Sequence, residues 1–241
     1  MARRKLSPER QQLHDQFLKA AELGNLKRVK ALLRQRVPVN TKDSFRNTAL
    51  HHAAYNGHLK LVKLLVRKGA NLDARNGHLQ TPLHVACLRG NYQVAKHLVE
   101  NGAGLEEAGD GGHLPLHYAV NYDLKLVKLL LKHGAKPNGV NENDQTPLHL
   151  VGYGKLKEKK KIAIAKLLLK KGASLRVKDS WSETPLHRAG ESGNRRLFKF
   201  LLEKTISNGL APDQKDDNNN TPFDYFRDSM IDKARKKLGG K

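Results

Sequence analysis

Histidine is the residue whose number and spacing most suggest chemistry in this chain of 241 residues. Twelve histidines are present, and five of them close a short string that recurs along the chain: His51, His84, His117, His149 and His187. Metal binding and acid–base catalysis both need several side chains that converge on one point. Histidines that are one repeat apart would instead be spread along a stacked array. We therefore interpret these five as structural, and we predict no metal site and no catalytic residue.

Other reactive residue types lead to the same expectation. Cys87 is the only cysteine, which excludes a disulfide framework and a cysteine-based zinc site. Its Ala-rich surroundings favour a small buried residue over a nucleophile. The glycines at 109–112 are not followed by the Lys-Ser/Thr pair of a phosphate-binding loop. We expect a protein that needs no cofactor and is not an enzyme.

The string that carries the histidines is the clearest feature of the sequence. Its six copies are separated by 33, 33, 32, 38 and 37 residues. They are Thr48-Ala-Leu-His51, Thr81-Pro-Leu-His84, Leu114-Pro-Leu-His117, Thr146-Pro-Leu-His149, Thr184-Pro-Leu-His187 and Thr221-Pro-Phe-Asp224. A short Ala-rich segment, a Leu/Val-rich segment and usually Gly-Ala follow each copy. Such a period indicates a stack of repeated helical units.

Each unit is predicted to be a pair of helices. Threonine is a good N-cap, proline is tolerated at the first helical position, and glycines such as Gly57, Gly90 and Gly193 are typical residues after a helix end. The second helix of one unit is expected from Leu59 to Lys68. It should bury Leu59, Val62, Leu65 and Val66. Because neither helix can bury its apolar face alone, the units must stack.

The Thr-Pro-Leu-His string at this period closely resembles the ankyrin repeat over residues 14–225. The resemblance implies an all-α solenoid of stacked helix pairs with short β-turn fingers, about six repeats and a C-terminal capping half-repeat. It also implies that the five histidines are hydrogen-bonding struts. The predicted divisions are a basic N-terminal tail 1–13, repeats 14–42, 43–76, 77–109, 110–141, 142–179 and 180–216, a cap 217–225 and a basic C-terminal tail 226–241.

Two departures from the repeat bear on function. Leu114 replaces the N-cap threonine of its repeat. Five extra residues between His149 and Gly172 are predicted to lie between two helices, in a lysine-rich insertion at 155–161. This insertion and the cluster 233–237 could each serve as a nuclear-import signal or be a solvated charged segment.

Basic residues outnumber acidic ones, giving a net charge of +22, and they are distributed unevenly along the chain. Three outward positions of the six predicted second helices contain 14 basic and 2 acidic residues among 18 positions. Such a convex basic stripe is either a solvated surface or a site for a polyanion. The candidate anion-binding residues are Lys60, Lys63, Arg67, Lys125, Lys128, Lys132, Lys155, Lys157, Lys159, Lys160 and Lys161.

The predicted concave face, made by the finger tips and the first helices, is unusually aromatic for a chain with 5% aromatic residues. Tyr, Trp and Arg are frequent hot spots in protein interfaces. Its candidate protein-binding residues are Phe45, Tyr55, Asn56, His78, Leu88, Arg89, His113, Tyr122, Tyr153 and Trp181, and Glu183 is a further position that packing is not expected to dictate.

These patterns favour a non-enzymatic scaffold or adaptor that binds a protein through the concave face. Arg89 and its basic neighbours favour a partner with acidic and apolar anchors. The alternative is a binder of nucleic acid or another anionic surface through the convex stripe and the lysine insertion. We expect a monomer without a transmembrane segment. The single cysteine and the missing secretory signal predict a cytoplasmic or nuclear location.

Overall fold

The computed structural model describes residues 7–225, which form twelve α-helices in six consecutive pairs. The chain divides into two compact units, one up to Asp110 and one from Gly111 onward. The C-terminal tail 226–241, its cluster 233–237 and residues 1–6 of the N-terminal tail lie outside the described residues.

Three helix pairs build the first unit. Its helices are α1 Pro8–Glu22, α2 Leu26–Arg34, α3 Ala49–Tyr55, α4 Leu59–Arg67, α5 Pro82–Leu88 and α6 Tyr92–Glu100. The first helices α1, α3 and α5 pack side by side in this order, and each also packs on its own second helix. Because α1 begins at Pro8, the helical array starts within the segment that was predicted as a tail.

Three further pairs build the second unit. Its helices are α7 Pro115–Ala119, α8 Leu124–Lys132, α9 Pro147–Leu150, α10 Glu158–Lys170, α11 Pro185–Glu191 and α12 Arg195–Ser207. The second helices α8, α10 and α12 pack in sequence. At the end of the array, the Phe223 ring packs edge-on against Phe198, with 5.8 Å between the ring centroids.

No β-strand occurs in residues 7–225; the single β-type pairing there is an isolated bridge between Lys42 and Thr48. The predicted all-α solenoid of stacked helix pairs is therefore confirmed. None of the helices described between residues 7 and 225 has the length and apolar character that crossing a bilayer requires.

The string histidines stabilise helix starts and join neighbouring repeats, as predicted. His51 Nδ1 accepts a hydrogen bond from the Thr48 backbone N–H at 3.1 Å, and Thr48 Oγ1 accepts one from the His51 backbone N–H. On the other side of the ring, His51 Nε2 is 2.9 Å from the carbonyl oxygen of Gln80, to which it donates. His117 and His149 make the equivalent bonds to the next finger, at 2.9 and 3.1 Å.

Burial keeps these imidazoles neutral. Removal from water lowers the pKa of His51, His117 and His149 to about 4 in each case, although the carbonyl hydrogen bonds oppose the shift. The pKa of His187 is also lowered, again mainly by burial. A neutral ring that accepts at Nδ1 and donates at Nε2 is the state that both sets of contacts require.

The apolar face of the second helices differs slightly from the prediction. In α4 the buried residues are Leu61, Val62, Leu64 and Leu65, whereas Leu59 and Val66 are only half-buried. α4 packs on its own first helix α3 and on the next second helix α6, so its buried stripe is wider than a single row of residues. Gly69, predicted to end this helix, adopts φ 78°, a left-handed conformation that glycine tolerates.

The lysine insertion is partly helical. α9 ends at Leu150 and α10 begins at Glu158, so the residues from 158 onward extend the second helix instead of lying in a connection. As a result α10 has 13 residues, whereas α8 has 9. α12 is extended to the same length.

Candidate protein-binding surface

The finger turns place the candidate binding residues. Four fingers begin with an Asp or Asn whose side-chain oxygen accepts backbone N–H groups two and four residues later: Asn76, Asn141, Asp179 and Asp216. Asp179 accepts from Trp181 and Glu183 at 3.0 Å each. Neighbouring fingers are joined through the backbone: the Gly77 N–H donates to the Phe45 carbonyl at 2.7 Å. The finger tips are therefore ordered before any partner binds.

The inner surface of the first unit contains Phe45, Tyr55, Asn56, His78, Leu88 and Arg89. The Phe45 side chain is 70% exposed, and Tyr55, Asn56, His78 and Arg89 are also exposed. A groove of about 320 Å³ runs beneath them, lined by Tyr55, His78 and the half-buried Leu88 among others. Five of the six predicted residues are therefore available to a partner, and the sixth lines the groove.

A side-chain contact and a backbone conformation add detail that the sequence did not provide. The Arg89 guanidinium lies 4.4 Å from the centroid of the Tyr55 ring, in a cation–π contact that orders both side chains. Leu79 is half-exposed at a finger tip and has φ 56°, which a leucine rarely adopts. This leucine adds an exposed apolar side chain to its finger tip. The turn that begins at Asn76 is the sequence signal that could have placed it there.

The inner surface of the second unit contains His113, Tyr122, Tyr153 and Trp181. The three larger rings are exposed, with Trp181 at 43%. His113 is half-buried instead: its ring packs 5.6 Å from that of Tyr118, and Asn141 lies 3.2 Å from its Nε2. The aromatic residues Tyr122, Tyr153 and Trp181 are thus the accessible part of this surface.

Arg188, which the sequence analysis did not single out, organises this surface. Its side chain is 11% exposed, and its guanidinium carbon lies 4.9 Å from the centroid of the Trp181 ring. The guanidinium binds Asp179 Oδ2 through Nη2 at 2.6 Å and Nε at 2.8 Å, and Nη1 donates to Glu191 at 2.9 Å. Glu191 in turn accepts a hydrogen bond from the Tyr153 hydroxyl. One buried cation therefore links both aromatic side chains.

Glu183 corrects an expectation, because it is 6% exposed and does not face a partner. Its Oε1 accepts a hydrogen bond from Tyr225 at 2.7 Å. Its Oε2 lies 2.6 Å from Arg188 Nε without hydrogen-bond alignment. Burial raises the pKa of Glu183, although Tyr225 and Arg188 oppose the shift. The arginine therefore faces three carboxyl groups, and it leaves no excess positive charge at this surface.

The predicted basic positions lie on the solvent side of the second helices. Lys60, Lys63 and Arg67 on α4 and Lys125, Lys128 and Lys132 on α8 are exposed, as are Lys155, Lys157, Lys159 and Lys160. Lys161 was wrongly grouped with them. It is 5% exposed and donates to the Gly152 carbonyl, and burial lowers its pKa. Its side chain secures the turn before α10 and cannot contact an external anion.

The reactive residues do not form a site in the described part of the chain. No group of three His, Cys, Asp or Glu side chains within residues 7–225 could hold a metal ion. Cys87 is fully buried in α5, and burial raises the pKa of its thiol to about 12. A thiol in this state is a poor nucleophile, and Cys87 acts as a small core residue.

Comparisons with known proteins agree with this geometry. The model of ankyrin repeats in three copies matches residues 17–108, and the single ankyrin-repeat model matches residues 111–142 and 143–180. No curated protein matches the chain. Among solved structures, the chain is similar to a chain from the complex of the predatory endopeptidase Bd0816 of Bdellovibrio bacteriovorus with the immunity protein Bd3460. The two are 32% identical with a TM-score of 0.70, over 78% of this chain and 97% of that chain. The chain therefore belongs to the ankyrin-repeat family.

Proposed function

We propose that this ankyrin-repeat protein is a non-enzymatic scaffold or adaptor that captures a protein partner through its inner surfaces. The observation that carries the proposal is the set of exposed, pre-ordered aromatic side chains: Tyr55 on Arg89 in the first unit, and Tyr153 and Trp181 around Arg188 in the second. Ordered aromatic groups lose little conformational entropy on binding, which favours them as anchors.

Each unit suits a different part of a partner. At the first inner surface Arg89 is exposed above Tyr55, so acidic and apolar groups of the partner are expected there. At the second surface Arg188 is already neutralised by Asp179 and Glu191, and the half-exposed Glu191 repels further carboxylates. We expect apolar or basic groups of the partner at Trp181 and Tyr153.

The similar solved structure supports a protein partner and suggests one enzyme class. The matched chain comes from a complex of an endopeptidase with an immunity protein. We propose endopeptidases as the first partners to test, by measuring whether the purified protein slows cleavage of a peptide substrate. Unchanged cleavage and no binding by any peptidase tested would remove this specific suggestion and leave the general one intact.

A pull-down tests the general proposal and its main alternative together. Tagged protein is incubated with lysate, with or without nuclease, and washed at low and high salt before mass spectrometry. A discrete protein that survives nuclease and high salt supports the inner-surface proposal. Capture that nuclease or salt abolishes would instead support polyanion binding by the outer basic residues, because phosphate contacts weaken steeply with salt.

Variants connect the captured protein to the surface. The double variant Tyr122→Ala/Trp181→Ala should lose most of the partner, since truncated hot spots typically cost about 2 kcal/mol or more. Ile206→Ala is the matched control, because Ile206 is a half-exposed apolar residue on α12 that does not belong to the inner surface. Both variants should melt like the wild type. If the double variant loses binding only together with its fold, these rings serve packing and the proposal fails.

A further inference from the structure

A groove of about 580 Å³ lies between α10 and α12 in the second unit. Residues of the two helices line it, together with Ala173, Leu175 and Arg176 from the segment after α10. The volume is within the range of about 300–1,000 Å³ that small-molecule sites occupy. None of the predicted binding residues lines this groove.

The charge in the groove has one sign. Lys166 and Lys170 on α10, Arg176 after it and Lys204 on α12 line the walls, and no acidic side chain is among the lining residues. None of these four cations takes part in a salt bridge with another residue of the described range 7–225. Four uncompensated cations around one concavity attract an anion and repel one another when it is empty.

Beneath the charges, the floor of the groove is apolar. Leu169, Leu175, Phe200 and Leu210 line it and are half-buried, so part of each side chain stays in contact with solvent. The Lys166 ammonium lies 5.5 Å from the centroid of the Phe200 ring, which brings a cation directly over the floor. The groove therefore offers positive charge and apolar surface to the same ligand.

This combination discriminates between anions. Inorganic phosphate would use the cations but leave the apolar floor wet. A nucleic acid would follow a row of cations and would need several aromatic faces for its bases, whereas Phe200 is the single aromatic residue among those that line the groove. Lysine ammonium groups suit phosphate as point charges, and apolar surface removed from water adds affinity in proportion to its area.

We propose that the groove between α10 and α12 binds a phosphate-bearing amphiphile, with its phosphate among the four cations and its apolar part on Leu169 and Phe200. A phospholipid with an accessible head group has this chemistry. The site is separate from the inner surfaces, so the proposal does not depend on the protein partner of the scaffold.

Calorimetric titration with a soluble short-chain lipid tests the proposal. Dihexanoyl phosphatidic acid should bind at least about tenfold tighter than inorganic phosphate, which lacks the tails, and than dihexanoyl phosphatidylcholine, which lacks the net charge. Equal affinity for inorganic phosphate would show that the floor takes no part. Equal affinity for the phosphatidylcholine would show that the cations take no part. Either result overturns the proposal.

Two charge-reversal variants separate this groove from diffuse attraction to a basic protein. Lys170→Glu/Lys204→Glu alters the groove, whereas Lys125→Glu/Lys128→Glu makes the same charge change on the exposed face of α8. The groove variant should lose at least about tenfold in affinity for dihexanoyl phosphatidic acid, and the α8 variant should lose less than about threefold. Equal losses in the two variants would mean that net charge alone attracts the lipid, and the proposal would be wrong.

Co-sedimentation with vesicles identifies the source of the amphiphile. If the protein binds the lipid at a membrane, the wild type should co-sediment with vesicles of phosphatidylcholine and phosphatidic acid, and the groove variant should stay in the supernatant. Binding of the short-chain lipid without vesicle binding would assign a free amphiphile to the same site. Vesicles that retain the groove variant as well as the wild type would show that the lipid binds elsewhere, which contradicts the proposal.

Discussion

In the first unit His52 directly follows the string histidine His51. Its side chain lies 2.9 Å from Asp43, at the start of the preceding finger. In the second unit the equivalent residue is Arg188, which lies 2.6 Å from Asp179. The first pair is partly exposed, whereas the Asp179 side chain is completely buried. An imidazole carries charge only when it is protonated, but a guanidinium is charged at every accessible pH.

The two units also order an exposed aromatic residue in different ways. Tyr55 is ordered by the exposed Arg89, whose charge stays available to a partner. Trp181 is ordered by the buried Arg188, whose charge is used within the protein. The first surface can therefore attract acidic groups, whereas the second is rigid and electrostatically satisfied.

The largest expected effect is that of lowering the pH, which acts on string histidines in both units. It therefore provides the baseline for comparing the stability of variants in the two units. Lowering the pH from about 7 to about 5 should destabilise the protein, because the folded-state pKa of about 4 for His51, His117 and His149 lies below the unfolded value of about 6.5. The unfolded chain then binds more protons, and each histidine should reduce the free energy of unfolding by roughly 2 kcal/mol at pH 5.

Thermal melts followed by circular dichroism at several pH values check this expectation. Stability should be complete above about pH 6.5 and should fall steadily as the pH decreases towards 4. A melting temperature that stays constant across this range would show that the histidines are protonated in the folded state. That result would contradict the hydrogen-bond assignment at Nδ1.

The next effect distinguishes the two arginines. Arg188→Ala leaves Asp179 and Glu183 buried without their cation and should lower the free energy of unfolding by about 3–5 kcal/mol. Arg89→Ala is the matched control and should change it by less than about 1 kcal/mol, because the exposed cation makes only a surface contact. Urea unfolding measures both. Similar values for the two variants would remove the distinction between the units.

A smaller effect concerns recognition. Arg89→Glu should weaken a partner that places acidic groups on the first unit by about tenfold at low salt, and less at high salt. Glu191→Gln on the second unit should change the affinity of the same partner by less than about threefold, since the carboxylate mainly pairs with Arg188. Surface plasmon resonance with the captured partner provides both values. A tighter complex with Arg89→Glu would reverse the assigned charge of the partner.

The smallest expected effect concerns the finger tips, where both units contain non-glycine residues with positive φ. Leu79 and Ser182 have φ of 56° and 59°, which are strained for residues with a side chain. Leu79→Gly and Ser182→Gly should each raise the free energy of unfolding by about 0.5 kcal/mol, the relief of strain minus the entropy of a more flexible unfolded chain. Chemical denaturation detects a change of this size in repeated measurements. Destabilisation by Leu79→Gly alone would mean that the leucine side chain packs in the free protein.

The candidate site was only partly predictable. Phe45, Tyr55 and Trp181 could be placed because their positions in the repeat set their exposure. Arg188 could not, because its carboxylate partners come from both the preceding finger and its own helix, and only the fold shows that they enclose the guanidinium. The prediction that Lys161 is an exposed anion-binding residue was wrong for a related reason. A run of lysines is typical of a solvated segment, and only the fold shows that Lys161 donates to the Gly152 carbonyl.

The repeat, the helix pairs and the structural role of the histidines were predictable from the amino-acid sequence. The helix pairs and the histidine contacts at the helix starts depend on residues within about four positions, and the links between repeats follow the spacing that recurs along the chain, so periodicity is enough to predict them. Only the tertiary structure shows that Arg188 is buried and that Lys166, Lys170 and Lys204 surround one groove with an apolar floor. The groove residues come from different repeats, and the Arg188 cluster joins a finger, a helix and Tyr153 of the preceding repeat, so these arrangements exist only once the chain has folded.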